Sequence, residues 1–146
     1  MRRFVIQQHH ARAKHFDFRL EVGGVLKSWA VPKGLSTDPS EKRLAVEVED
    51  HSLGHAKFEG RVGSSRVIVW DQGTYRPLTK GSVKRALEDG HLSFWLEGEK
   101  LRGGWTLQRT SDGTKPQWLL IKRRDEGVGA APSAESVRSG KTIEEI

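Results

Sequence analysis

The chain has 146 residues, a formal net charge of +6 and an isoelectric point near 9.8. It contains no cysteine, which excludes disulfides and thiolate metal sites and fits a reducing, cytoplasmic setting. No apolar run is long enough to span a membrane, and the N-terminus MRRFVIQQHH lacks the apolar stretch of a secretory signal.

Such a length suits one domain with a real core. The basic balance points to a polyanionic partner. In chain order, Phe4-Val5-Ile6 is a short apolar run leading to His9-His10. Residues 15–22, HFDFRLEV, alternate strictly between polar and apolar. A strand places successive side chains on opposite faces, so Phe16, Phe18, Leu20 and Val22 are expected in the core. His15, Asp17, Arg19 and Glu21 then share the other face, with His9 just upstream. Gly23-Gly24 signals a hairpin turn, and Val25–Val31 reads as the return strand, closed by Pro32-Lys33-Gly34.

Residues 35–42 carry turn chemistry. Residues 43–49 form a second alternating strand, with Leu44, Val46 and Val48 on one face and Arg43, Glu47, Glu49 and then His51 on the other. RVIVW at 66–70 is a β-branched strand that ends in the expected turn Asp71-Gln72-Gly73. Ser82 to Asp89 is the best helix candidate: Ser82 as N-cap, an apolar stripe of Val83, Ala86 and Leu87, and Gly90 as the stop. Strands follow at 92–96, 105–109 and 118–122. The five tryptophans are assigned mainly to the core. His10 points away from His9 in an extended chain, His91 reads as a turn residue, and Lys122-Arg123-Arg124 reads as a solvated charge run. From Gly127 the composition turns to Gly, Ala, Ser and Pro. The expected organisation is therefore a domain over residues 1–126 and a flexible linker or tail over 127–146. A Thr142/Glu145 capping box gives that tail a short C-terminal helical turn. Many short strands with regular turns predict a mainly β fold, a small antiparallel barrel with one or two short flanking helices.

An alternating charged strand is ordinarily the solvated face of an antiparallel sheet. Here its composition argues otherwise, because His, Asp and Arg on one face are two metal-ligand types and a phosphate binder. Two imidazoles and a carboxylate form an N/O site suited to Mn, Fe or Zn, with Mn²⁺ favoured when the substrate is a phosphate and Zn²⁺ or another divalent transition metal as the alternative.

The motifs HHARAKHFDFRLE, LKSWAVPKG, KRLAVEVEDH, VIVWDQGTY and WLLIK, in this order over roughly residues 4–124, resemble the 3′-phosphoesterase module of bacterial ligase D and its stand-alone relatives. The tail SVRSGKTIEEI resembles a segment that follows this module in the multidomain ligases. The resemblance implies a small β-barrel with an outer groove and a manganese-dependent enzyme of bacterial end joining. Its substrate would be the 3′ end of a nucleic acid, with a DNA ligase, polymerase or end-binding protein as a further partner. The family removes a terminal ribonucleoside to leave a 3′-phosphate, and then removes that phosphate. By resemblance His9, His15 and Asp17 hold the metal. Arg19, Lys33, Arg43 and His51 contact or act on the phosphate, and Gln7, Ser28 and Glu49 support them. These residue types suit the roles. Arginine forks neutralise phosphate oxygens, Lys33 adds a point charge, and His51 has the pKa range of a general acid or base.

Three features depart from the family pattern. Only Met1-Arg2-Arg3 precede the core, where the family carries an arm that assists the phosphatase step. His55 stands where a tyrosine is usual, balanced between a substrate-binding residue and a solvated loop. The Gly-rich loop is shortened to RVGSSR at residues 61–66. The expected activity is therefore ribonucleoside removal with a weak or absent phosphatase step. The competing reading is a non-catalytic or impaired module, with the same fold, that binds nucleic-acid ends or a partner.

Overall fold

The structure, a computed structural model, describes residues 2–146. Its strands are β1 (Arg3–His10), β2 (Lys14–Val22), β3 (Val25–Val31), β4 (Arg43–His51), β5 (Gly60–Val62), β6 (Ser65–Pro77), β7 (His91–Gly98), β8 (Arg102–Ser111) and β9 (Gln117–Lys122). Eight of them run β1-β2-β3-β4-β9-β8-β7-β6 and close by pairing β6 with β1. The short β5 adds to β6 outside the ring. The fold is thus an antiparallel β-barrel, with α1 (Val83–Glu88) as the single described α-helix and 3-10 turns at Leu53–Lys57 and Ile143–Glu145.

Local chemistry explains the elements that position the site. Gly23 and Gly24 take φ of 58° and 84°, the left-handed pair of a type I′ hairpin turn, and so bring Val22 opposite Val25. This register places Arg19 beside Ser28 and Phe18 beside Trp29. Phe18 and Leu20 enter the barrel core with Phe4, Ile6, Trp29 and Phe94, while Phe16 and Val22 pack half-buried at its margins. Ser82 caps α1 by accepting the Arg85 N–H at 3.1 Å, and Val83, Ala86 and Leu87 are buried.

Three expectations change. The turn at Asp71-Gln72-Gly73 is absent, and β6 runs on to Pro77, passing from β1 to β7. Asp71 is buried and serves the neighbouring turn instead. Its Oδ1 accepts the N–H groups of Gln72, Glu99 and Lys100, and its Oδ2 accepts that of Leu101, all at 2.9–3.0 Å. Burial outweighs these donors and pushes its carboxyl above the usual carboxylate range. Lys122 is not part of a solvated run. It is buried, with Nζ on Asp125 at 2.7 Å and on the Arg123 carbonyl at 3.0 Å.

The third change concerns β4. Arg43, Ala45 and Glu47 lie opposite Leu120, Trp118 and Trp29, on the inner side of the sheet. A bulge then intervenes. Ser28 pairs with Val48 but Leu26 pairs with His51, so β4 spends three residues where β3 spends two. The extra residue returns His51 to the outer face, beside Ser28 and Arg19.

The segment from Gly127 is irregular, and it lies against the barrel. Ile143 and Ser136 are buried, the Val137 N–H donates to the Val69 carbonyl, and Lys100 Nζ donates to the carbonyls of Ser133 and Glu135. These contacts join to the barrel a stretch whose composition alone reads as a linker. The Thr142/Glu145 capping box forms, on a 3-10 turn. No described helix is long and apolar enough to cross a membrane.

Candidate metal and phosphate site

On the outer face of β1 and β2, His9 lies directly opposite His15, with Asp17 two residues further along β2. Asp17 Oδ1 is 3.1 Å from His15 Nε2, and Oδ2 is 3.7 Å from His9 Nδ1. The three donor atoms all lie within 4.8 Å of one another, so one ion can be shared among them. Their protonation also fits a cation. Burial, and then the charge of His15, hold the His9 imidazole below its ordinary range, which favours the neutral, ligating form. Burial works to raise the Asp17 carboxyl, but the His15 hydrogen bond and the Arg19 charge overcome it, leaving the group below the usual carboxylate range.

Arg19 is buried at 4% exposure, which decides against a merely solvated face. Its Nε donates to Gln7 Oε1 at 2.7 Å and its Nη1 to Ser28 Oγ at 2.8 Å, while Nη2 lies 3.3 Å from Asp17. The guanidinium thereby ties β1, β2 and β3 together beneath the donor triad. Gln7, fully buried, spends its amide N–H groups on the carbonyls of His55 at 2.9 Å and Phe58 at 3.1 Å. It thus clamps the Leu53–Lys57 turn over the sheet and brings His55 to the site. His55 stacks on Phe58 and lies 4.7 Å from the His51 ring. Burial, and then the nearby Arg19 charge, lower its pKa.

His51 Nδ1 stands 3.0 Å from both the Glu49 carbonyl and Arg19 Nη1, and one nitrogen serves only one of them at a time. With Nδ1 protonated toward the carbonyl, Nε2 is the free nitrogen.

A cavity of about 410 Å³ is lined by His9, His15, Asp17, Arg19, His51 and His55 together. Its remaining walls, Phe58, Val62, Ser65 and Val67, come from the turn and the β5–β6 hairpin. The shortened RVGSSR loop is that hairpin. No motif marked these apolar walls; the only sequence signal was their nearness to that loop. Gln7 and Ser28 stand behind Arg19. Glu49 is exposed and offers its carbonyl to His51. Lys33 and Arg43 do not line this cavity. Lys33 is exposed in the turn after β3, and Arg43 begins β4 on its inner side, 3.7 Å from Glu41. His10 meets Gln8 on the far side of β1 from the donors. Another cavity, of about 470 Å³, opens at the barrel end beside Trp29 and Trp118 and holds none of the site's groups.

A closed β-barrel with two imidazoles, a carboxylate and a buried arginine on its outer wall defines a candidate phosphoesterase site. Residues 7–109 match the family model of the DNA ligase D 3′-phosphoesterase domain, and the chain belongs to that family. It is 53% identical over 129 residues to the multifunctional non-homologous end joining protein LigD of Pseudomonas aeruginosa, covering 84% of this chain and 15% of that protein. It is 40% identical over 131 residues to the multifunctional non-homologous end joining DNA repair protein LigD of Mycobacterium tuberculosis, covering 84% and 16%. With LigD of Mycolicibacterium smegmatis it shares 38% over 134 residues, 85% of this chain and 17% of that one. The chain thus spans about one-sixth of the length of these relatives.

Proposed function

We propose that the chain is a divalent-metal-dependent phosphoesterase acting on nucleic-acid 3′ ends during end joining, with Mn²⁺ as the preferred ion. The observation that carries this reading is the convergence of His9, His15 and Asp17 beside the buried guanidinium of Arg19 in one cavity. Family membership and the names of the LigD relatives support it.

His9, His15 and Asp17 would hold the ion, which when bound supplies Lewis-acid polarisation of a phosphoryl oxygen. Arg19 needs no reorganisation to meet the substrate, because Gln7 and Ser28 already fix its plane. Nη1 and Nη2 each carry one N–H beyond those given to Ser28 and Asp17, and these would donate to a phosphate in the cavity that Arg19 lines. His51 Nε2, with Nδ1 turned to the Glu49 carbonyl, takes a proton from the attacking water or gives one to the leaving oxygen. His55 contributes a second imidazole over the same space. Removal of a 3′-terminal ribonucleoside proceeds with these groups. Removal of the resulting 3′-phosphate is slower, since the monoester carries an extra charge and leaves a poorer leaving group.

The test is a labelled primer-template ending in one ribonucleotide, incubated with Mn²⁺ and resolved by 3′-end chemistry. Accumulation of a 3′-phosphate product is expected. Absence of cleavage with any divalent metal, despite binding of the primer-template, identifies a non-catalytic end-binding module instead. Conversion to 3′-hydroxyl as fast as the first cut refutes the slow second step.

A further inference from the structure

The edge of β6 that faces away from β1 has a gap. β5 covers it only from Ser65 to Val67, and β7 only from Gly73 to Pro77. Between them a substitute for a strand serves Val69. Its N–H donates to Glu59 Oε1 at 2.8 Å, and its carbonyl accepts the Val137 N–H at 3.0 Å. The same Glu59 oxygen accepts the Ser136 hydroxyl. Ser136 is buried, and its Oγ accepts the N–H groups of Arg138 and Ser139 at 3.0 Å each, so its one donor and two acceptor positions are all filled. Lys100, which stands 4.4 Å over the Trp70 ring, holds the approach to this turn through the carbonyls of Ser133 and Glu135 at 2.7 and 2.6 Å. Residues 133–141 are thus built into the barrel wall.

This staple reaches the candidate site from behind. Glu59 does not line the metal cavity. It directly follows Phe58, whose carbonyl accepts the Gln7 amide at 3.1 Å and whose ring stacks on His55 with centroids 5.6 Å apart. Val69, the other partner of Glu59, is the cross-strand neighbour of Gln7. One carboxylate therefore fixes both ends of a single contact: the strand beside Gln7, and the exit of the Leu53–Lys57 turn that Gln7 clamps. The Gln7 amide nitrogen holds two carbonyls at one point, and one point does not fix the tilt of the ring above it. Glu59, tied to β6 and to the tail, supplies a second. We propose that Glu59 and Ser136 are positioning residues of the phosphoesterase, with segment 133–141 holding His55 over the metal cavity. The proposal rests on the phosphoesterase reading above, and it makes a stretch of linker composition part of the working site.

Two readouts test it. The His55 ring signal is followed by NMR at one pH, in metal-free protein carrying isotope-labelled histidine, and is assigned with His55→Asn. His91, at the start of β7 and outside the cavity, is the reference. Cleavage of a primer-template ending in one ribonucleotide, with Mn²⁺, gives kcat and KM. Glu59→Ala should move and broaden the His55 signal and leave His91 unchanged. It should lower kcat about tenfold with KM held within about twofold, since a misplacement of about 1 Å can cost about a hundredfold. Glu59→Gln keeps a carbonyl acceptor for both donors and should restore signal and rate close to wild type. Ser136→Ala leaves the Val69 bond in place and should shift both readouts in the direction of Glu59→Ala; it decides the question if Glu59→Ala does not fold. An unmoved His55 signal or an unchanged kcat in these two alanine variants overturns the proposal, as does a Glu59→Gln protein no better than Glu59→Ala. A wild type that cleaves nothing, with a His55 signal that still moves in Glu59→Ala, overturns the phosphoesterase reading and supports the link from the tail to His55.

Discussion

Replacing Arg19 by lysine keeps the charge and removes the fork. The guanidinium reaches Gln7, Ser28 and Asp17 at 2.7, 2.8 and 3.3 Å from three different nitrogens. An ammonium is a single point and cannot serve all three. If it remains with Asp17, the bonds to Gln7 and Ser28 are lost, and the buried Gln7 carbonyl oxygen is left without its donor. Two charge-assisted bonds at about 1.5 kcal/mol each amount to about 3 kcal/mol of stability. In a chain of this size that lowers the melting temperature by about 6–12 °C. Urea and thermal denaturation of Arg19→Lys, both in EDTA so that metal binding does not bias the folded state, measure this loss. Arg43→Lys is the internal control, because Arg43 Nε makes no hydrogen bond and its nearest carboxylate is 3.7 Å away. A loss at Arg19 below about 1 kcal/mol, or no larger than at Arg43, refutes the idea that the fork holds three strands together.

Asp71→Asn should cost about 2–4 kcal/mol, read from the urea midpoint, because the amide N–H₂ meets a backbone N–H and the remaining bonds lose their charge. His15→Ala should abolish Mn²⁺ binding measured by calorimetry while circular dichroism still reports a folded barrel; full-strength binding would remove His15 from the donor set. Glu59 accepts the Val69 N–H at 2.8 Å and the Ser136 hydroxyl, and these bonds outweigh burial to hold its carboxyl below the ordinary 4.5. A depressed carboxyl stabilises the fold above pH 4.5 and loses that contribution as pH falls through its folded-state value, so the urea-midpoint gap between wild type and Glu59→Gln should shrink from pH 7 to pH 3.

Much of β2 is legible in the sequence because its alternation and its Gly-Gly turn are local signals. The helix after Ser82 is legible for the same reason. The donor triad follows from strand alternation plus one cross-strand neighbour. What sequence pattern does not carry is the burial of Arg19, which depends on Gln7 from β1 and Ser28 from β3 arriving at the same point. Nor does it carry the fate of Asp71. A motif Asp-Gln-Gly has turn composition, yet its aspartate caps a turn near residue 100 that only the folded barrel brings alongside. Period two also fails on β4, since a bulge is a property of pairing with β3 and leaves no mark in the composition of residues 43–51. The contacts of the tail leave no local mark for a related reason: Ile143 and Ser136 are ordinary residues until the barrel presents surfaces to receive them.

That bulge makes the parity of β4 a determinant of the chemistry. Closing the bulge at constant length, so that Glu49 and Asp50 returned to regular pairing with β3, would leave the strand's composition unchanged, yet it would swing the imidazole from the outer wall toward the barrel interior. The donor triad on β1 and β2 would stay intact. Deleting one residue between Val48 and His51 would instead keep the imidazole outside, because two regular steps from Val48 end on the same face. The pairing of this short stretch, rather than its residue types, therefore decides whether the imidazole joins the cavity.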